Sequence, residues 1–178
     1  AKYRAIIAKP MVKRKDQTNE RKVACAQVYE KAMVVLKNEN AALPLNRLDK
    51  KIARISIGTH ALAFRESIDR YAEIEHHHFY SVNEALERLK DQSWEGYDVI
   101  LTDFHSNGQR VKDNYGFENW KDVMTVLPEK ATVITTFFGN PMVLTSETAL
   151  PENMDACILA YENHDLAQDR VGQFIMGA

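Results

Sequence analysis

The chain has 178 residues, 45% of them hydrophobic, 27% charged and 9% aromatic, with a formal net charge of -2. That length suits one domain with a sizeable core, and the composition excludes a disordered tail. The near-neutral charge and scattered Lys and Arg residues give no electrostatic footprint for nucleic acid, and no apolar run approaches the roughly 20 residues of a membrane span.

Residues 1–20 carry Pro10 and a basic cluster, Lys9 to Lys15, with little periodicity. They are expected to form a connecting segment ahead of a single domain over 21–178. From about Asn19 to Leu36, apolar residues recur at helical spacing: Cys25, Val28, Tyr29, Ala32, Val35 and Leu36. Asn38 and Asn40 are expected to terminate that helix, since Asn tolerates the left-handed cap conformation. Pro44 then pushes Leu43 into an extended conformation, making a hook, Leu43-Pro44-Leu45. The stripe through Leu36 and both hook leucines are expected to pack onto the domain, because a helix this short is marginal in water by itself.

Ile52–Ile57 reads as the first strand and Thr59–Tyr71 as a helix after a turn at Gly58. His76–Ser81 reads as a short strand. Ser81 with Glu84 forms a capping box for a helix over Val82–Leu89. Tyr97–Phe104 is a buried strand, Gly116–Leu127 a helix and Ala131–Gly139 a second buried strand. Met142–Leu144 fits a short strand or a turn, Asp155–Tyr161 the last strand and His164–Met176 the closing helix. Near-continuous apolar strands separated by helices predict an α/β three-layer sandwich. Its sheet should be mostly parallel, of five or six strands, with helices on both faces in a flavodoxin-like arrangement. Crossovers should be right-handed.

Ligands of such sheets meet the loops at the carboxyl ends of the strands. The candidate residues there are His60, Asp103, His105, Ser106, Asn107, Asn140, Glu162 and His164. They form no recognisable catalytic set. The first strand is not followed by G-x-G-x-x-G, and the chain has neither a Walker-type loop nor a G-x-S-x-G elbow. No cofactor is therefore expected. In His76-His77-His78 only His76 and His78 can share a strand face, and two imidazoles alone make a weak metal site. No metal is expected either. Cys25 and Cys157 read as small buried hydrophobes, with a disulfide between them left open.

Asp103 ends a buried strand, as the phosphoacceptor of a receiver-like regulatory domain does, and that is the alternative reading. Such chemistry needs an acidic pair after the first strand to hold a divalent metal. Here that position reads Gly58-Thr59-His60, and a later strand ends in Gly139-Asn140-Pro141 where a Lys is needed.

The stretch "AMVVLKNENAALPL", Ala32–Leu45, resembles the joint that leads into the C-terminal α/β sandwich domain of glycoside hydrolase family 3. "KIARISIG" resembles that domain's first strand. "VITTFFGNPMVL", Val133–Leu144, resembles its strand and Asn-Pro turn, and "ACILAYENHDLAQDRVGQFIMG", Ala156–Gly177, its closing strand and helix. The resemblance implies a parent that hydrolyses terminal β-linked sugars by a retaining mechanism. Its partner for this domain would be an N-terminal catalytic barrel of the same chain, which holds the Asp nucleophile. It further implies a carbohydrate substrate, an extracytoplasmic parent, and no catalytic residue in this chain. The β-glucosidase branch places a Glu acid/base on a long insertion after the early strands. Gly58-Thr59-His60 instead runs straight into a helix, which favours the β-N-acetylhexosaminidase-like branch. The opening "AKYRAIIAKPM" and the ending "FIMGA" are expected to be cuts in a longer protein.

Overall fold

The computed structural model describes residues 18–106, 117, 119–141, 144 and 149–178. Most of the expected connecting segment, the candidate Asn107, and Met142 and Val143 lie outside the described residues.

The first element is α1, Thr18–Ala32, followed by strand β1, Val34–Asn38. Here the structure corrects the sequence reading, which carried the helix on to Leu36. Val34 and Val35 are β-branched and favour a strand, and the segment through Leu36 extends to cover one edge of the sheet. β1 pairs antiparallel with the last strand, Val34 opposite Leu159 and Asn38 opposite Ala156. Tertiary pairing overrides the helical spacing. The expected apolar stripe is not buried: Cys25 and Val28 are exposed, as is Leu36, and Ala26 is the buried residue of α1.

The asparagines act differently from caps on that helix. The Asn38 side chain brackets the hook, donating from Nδ2 to Leu43 O at 3.1 Å and accepting from Leu43 N–H at 3.0 Å. Asn40 and Ala41 take left-handed conformations at φ 54° and 53° and reverse the chain. Leu43 and Leu45 are buried, and Leu45 N–H donates to Ile175 O at 2.8 Å. The Leu43–Pro44 peptide is cis. The hook is therefore part of this domain, as expected.

The remaining elements are β2 (Ile52–Gly58), α2 (Leu62–Ile68), β3 (Ile74–Phe79), α3 (Val82–Leu89), β4 (Val99–His105), α4 (Trp120–Thr125), β5 (Thr132–Phe138), β6 (Ala156–Leu159) and α5 (Asp165–Met176). The Ser81 hydroxyl accepts the Glu84 N–H at 3.2 Å, while the Glu84 carboxylate accepts the Tyr80 N–H at 2.8 Å. The capping box thus holds, reaching one residue further back than usual.

One six-stranded sheet runs in the order β1-β6-β5-β4-β2-β3. β3, β2, β4, β5 and β6 are parallel and β1 is antiparallel to β6. This is the mostly parallel α/β sandwich expected. On one face Ile52, Leu101, Ile134 and Ile158 pack with Phe64 of α2, Val171 and Ile175 of α5, and the hook leucines. On the other face Ile55, Ile100, Phe104, Val133 and Phe137 pack with Ala85 and Leu89 of α3 and Val123 of α4. α2 and α5 approach closely because residue 172 is Gly: a Cβ there would sit 2.6 Å from Ser67 Oγ.

Candidate functional site

The carboxyl ends of β4, β5 and β6 open into a cleft of about 630 Å³. Val28, Tyr29 and Ala32 of α1 form one wall. Ser106 lies at the end of β4, Gly139-Asn140-Pro141 follow β5, and Tyr161-Glu162-Asn163-His164 follow β6. Four of the sequence candidates meet here: Ser106, Asn140, Glu162 and His164. Tyr29 Oη donates to Glu162 Oε2 at 2.6 Å, and its ring stacks on His164 with centroids 5.3 Å apart. The hydrogen bond to the Glu162 carboxylate, with partial burial, pushes the Tyr29 hydroxyl up to about 12. The Tyr29 proton is therefore held on the phenol, where it fixes the carboxylate of the opposite wall.

Asp103 and His105 are not loop residues. Both lie in β4, which continues to His105 because Gly58 and Phe138 pair with it on either side. Both side chains are fully buried under the α2–α5 layer. Arg54 of β2 donates to both oxygens of Asp103, from Nε at 2.7 Å and from Nη2 at 2.6 Å, and Nη2 also donates to Ser56 Oγ at 3.0 Å. His105 Nε2 lies 2.7 Å from Asp103 Oδ2 and its Nδ1 lies 2.9 Å from Asn163 Oδ1. Burial alone would raise the Asp103 carboxyl. The Arg54 charge and the His105 hydrogen bond outweigh it and hold that carboxyl well below the usual carboxylate range. A carboxylate so enclosed and so paired offers no oxygen to a phosphodonor, which removes the geometric basis of the receiver-like alternative.

His60 stands apart, beyond the end of β2. It stacks on His78 with ring centroids 4.2 Å apart, and its Nε2 lies 3.3 Å from Tyr80 Oη. Burial, then the nearby His60, lowers the His78 pKa below its usual value. His76 is lowered mainly by burial, against the opposing pull of Asp69 at 2.8 Å. His77 faces the other way and meets the edge of Trp94. Among the described residues, no group of three or more His, Cys, Asp or Glu side chains is placed to hold a metal. Both cysteines are free. Cys157 is buried, as expected, and burial pushes its thiol up to about 12; Cys25 is exposed, contrary to expectation.

The sequence reading missed Arg54 and Tyr29 as site residues. Arg54 had a signal: a lone Arg inside the apolar run Ile52–Ile57, with Asp103 alone inside another, asks for a cross-strand pair. Tyr29 had none, since its partner is 133 residues away.

No family model matches this sequence and no curated protein matches it. Solved structures do. A family 3 β-N-acetylglucosaminidase from Paenibacillus is 14% identical, with a TM-score of 0.61, over 99% of this chain and 35% of that one. A β-glucosidase from Listeria innocua is 16% identical, with a TM-score of 0.64, over 94% of this chain and 27% of that one. A family 3 β-glucosidase from Bifidobacterium adolescentis is 14% identical, with a TM-score of 0.63, over 99% and 29%. The fold is one that family 3 glycosidases carry over part of their length. The chain spans only about a fifth to a third of the enzymes it matches. No described helix is long and apolar enough to cross a membrane.

Proposed function

We propose that this chain is the accessory C-terminal domain of a retaining β-glycosidase, β-N-acetylhexosaminidase-like or β-glucosidase-like, in carbohydrate metabolism. The supporting observation is the likeness over nearly the whole chain to a minor part of such enzymes, joined to the Ala32–Leu45 motif. A retaining reaction needs an acid/base and a nucleophile about 5 Å apart. Among the described residues the cleft is lined by one carboxylate, Glu162, already bonded to Tyr29, and Asp103 is locked beneath it by Arg54. The nucleophile and the acid/base belong in this reading to an N-terminal barrel, with the substrate held there, and the parent is extracytoplasmic.

Two assays test the proposal. The chain alone, incubated at high concentration with chromogenic β-glucosides and β-N-acetylglucosaminides, should give no turnover. The full reading frame from which it comes should encode an upstream barrel and hydrolyse one of those substrates. Turnover by the chain alone that vanishes in Glu162→Gln, or a reading frame without a barrel, overturns the proposal.

A further inference from the structure

The polarity of the network beneath the cleft is fixed from one backbone donor. Phe64 N–H, at the start of α2, can only donate, and it meets Gln168 Oε1 at 3.1 Å. Gln168 must then turn its Nε2 to Asn163, and it donates to Asn163 Oδ1 at 2.7 Å. So it is the oxygen of Asn163 that faces His105 Nδ1 at 2.9 Å, while Asn163 Nδ2 donates to Thr59 Oγ1 at 2.9 Å. On its other side His105 Nε2 faces Asp103 Oδ2, an oxygen that also receives Arg54. Both ring nitrogens of His105 thus confront acceptors. A neutral imidazole has one N–H and could satisfy only one of them.

We infer that His105 donates from both ring nitrogens and is a proton-dependent clasp on the Tyr161–His164 wall of the cleft. The wall needs such a tie. Tyr161 adopts φ 58°, and Glu162 N–H closes on Ala160 O at 2.6 Å, a tight three-residue turn in the left-handed region. A bulky residue persists there only where its surroundings enforce it. Asn163, two residues on, is bonded into the buried network through His105, Gln168 and Thr59.

The charged groups around the ring, among the described residues, are Asp103 of β4, its counter-ion, and Arg54 of β2, which shares that carboxylate. His78 of β3 lies in the field of the same carboxylate. The other packing groups are neutral: the Phe138 ring of β5, stacked at 4.4 Å, the Phe64 ring of α2, and the amides of Gln168 and Asn163. Asp103, an ion pair with Arg54, is the stronger acceptor, so a ring that gives up one proton keeps Nε2–H and loses the bond to Asn163. The clasp opens on the cleft side as pH rises. This inference stands whether or not the parent is a glycosidase.

The test uses the unmodified chain, labelled with ¹⁵N. The His105 ring is identified by its proximity to the Phe138 ring, and its nitrogen shifts are followed with pH alongside amide exchange of Glu162 and Asn163. At the acid end of the folded range both ring nitrogens should be protonated. When one proton is lost, the protection of the two amides, taken against their base-catalysed intrinsic exchange at each pH, should fall roughly fivefold or more, as befits one lost hydrogen bond. In Asn163→Asp, which supplies a charged acceptor, the loss should move to higher pH. A ring with one bare nitrogen throughout the folded range overturns the inference. So does a ring that keeps both protons until the chain unfolds, or one that loses a proton while the protection of the two amides is unchanged.

Discussion

Arg54 reaches diagonally from β2 to grip both carboxylate oxygens of Asp103 on β4, at 2.7 and 2.6 Å, with neither side chain more than 5% exposed. In the register of the two strands Arg54 lies opposite Leu101 and Asp103 opposite Ser56, so the pair spans a diagonal within reach of a long side chain. Ser56 and His105 complete the bonding. A charge buried without its partner is costly, whereas losing both partners is less so. Arg54→Met and Asp103→Leu should each lower stability by about 3–5 kcal/mol. The double variant should lose clearly less than the sum of the two, because neither Arg54 nor Asp103 is left facing the gap of the other. Urea denaturation midpoints of the four proteins measure this. Additive losses would mean that the two side chains do not depend on each other.

The same pair sets an acid limb. The Asp103 carboxyl is lowered in the folded chain, so the unfolded chain binds its proton more readily. Its contribution to stability is present in full above the unfolded value of about 3.9 and is lost as pH falls through the folded value. The stability gap between the parent chain and Asp103→Asn should therefore narrow as pH falls below about 4. Denaturant midpoints across that range report it, and a gap that widens in acid would reverse the sign assigned here.

β2, β4, β5 and β6 were legible in the sequence because each is a near-continuous apolar run bounded by turn residues, whereas β3, Ile74–Phe79, carries a Glu and three His and was read two residues late, at His76–Ser81. α3 was legible to the residue, since Ser81 and Glu84 mark its start and Leu89 ends its periodicity. β1 was not. Val35 and Leu36 sit at a spacing that continues the pattern of Val28 and Ala32, and nothing local distinguishes that from a strand edge looking for a partner in β6, more than a hundred residues away. Among the site residues, Glu162 and His164 were found from their place after the last strand. His105 fell outside the expected strand because its end was set at Phe104 by its own apolar run, when the pairing of neighbouring strands carries it on to His105. The partnership of Tyr29 with Glu162 depends on how α1 docks, which no local pattern encodes.

The hook and the edge strand can be separated by mutation. Leu45 is 7% exposed, bonded through its backbone to α5 and packed with Ile175, whereas Leu36 on β1 is 45% exposed. Leu45→Ala should cost about 2–5 kcal/mol, the usual range for a buried Leu. Leu36→Ala should stay within about 0.5 kcal/mol, as for ordinary surface changes. Chemical denaturation distinguishes them at once. Equal losses would mean that β1 is covered by something bound to its outer face.

The two thiols should react at very different rates. Cys25 is exposed on α1, while Cys157 is buried in β6 with its thiol pushed up to about 12 by that burial. The thiolate is the reacting species, so Cys157 is protected both by its surroundings and by its proton. A chromogenic disulfide reagent at neutral pH should therefore modify one thiol promptly and the second only on unfolding in denaturant. Cys25→Ser should abolish the fast phase. A fast phase of two thiols would show that β6 opens to solvent in the native state.

Two glycines with positive φ offer a graded test of how tightly the strand ends are built. Gly58 closes β2 at φ 106°, and a Cβ there would lie 2.1 Å from His105 O, a backbone atom that cannot swing away. That oxygen is already held by Thr59 N–H at 3.1 Å, so neither strand end has room to yield. Gly96, at φ 83°, precedes β4 and would bring its Cβ within 4 Å of nothing. Gly96→Ala should thus meet only the conformational penalty of an L-residue in that region, about 1–2 kcal/mol, lowering the melting temperature by roughly 2–4 °C per kcal/mol in a chain of this size. Gly58→Ala adds a backbone collision to that penalty. It should lose more than about 4 kcal/mol, the level reached when packing and backbone geometry fail together, or give no folded protein. Thermal unfolding of the two variants beside the parent chain decides the matter. If Gly58→Ala melts with Gly96→Ala, the ends of β2 and β4 can spread apart, and Arg54, Asp103 and His105 are held less rigidly beneath the cleft than their distances imply.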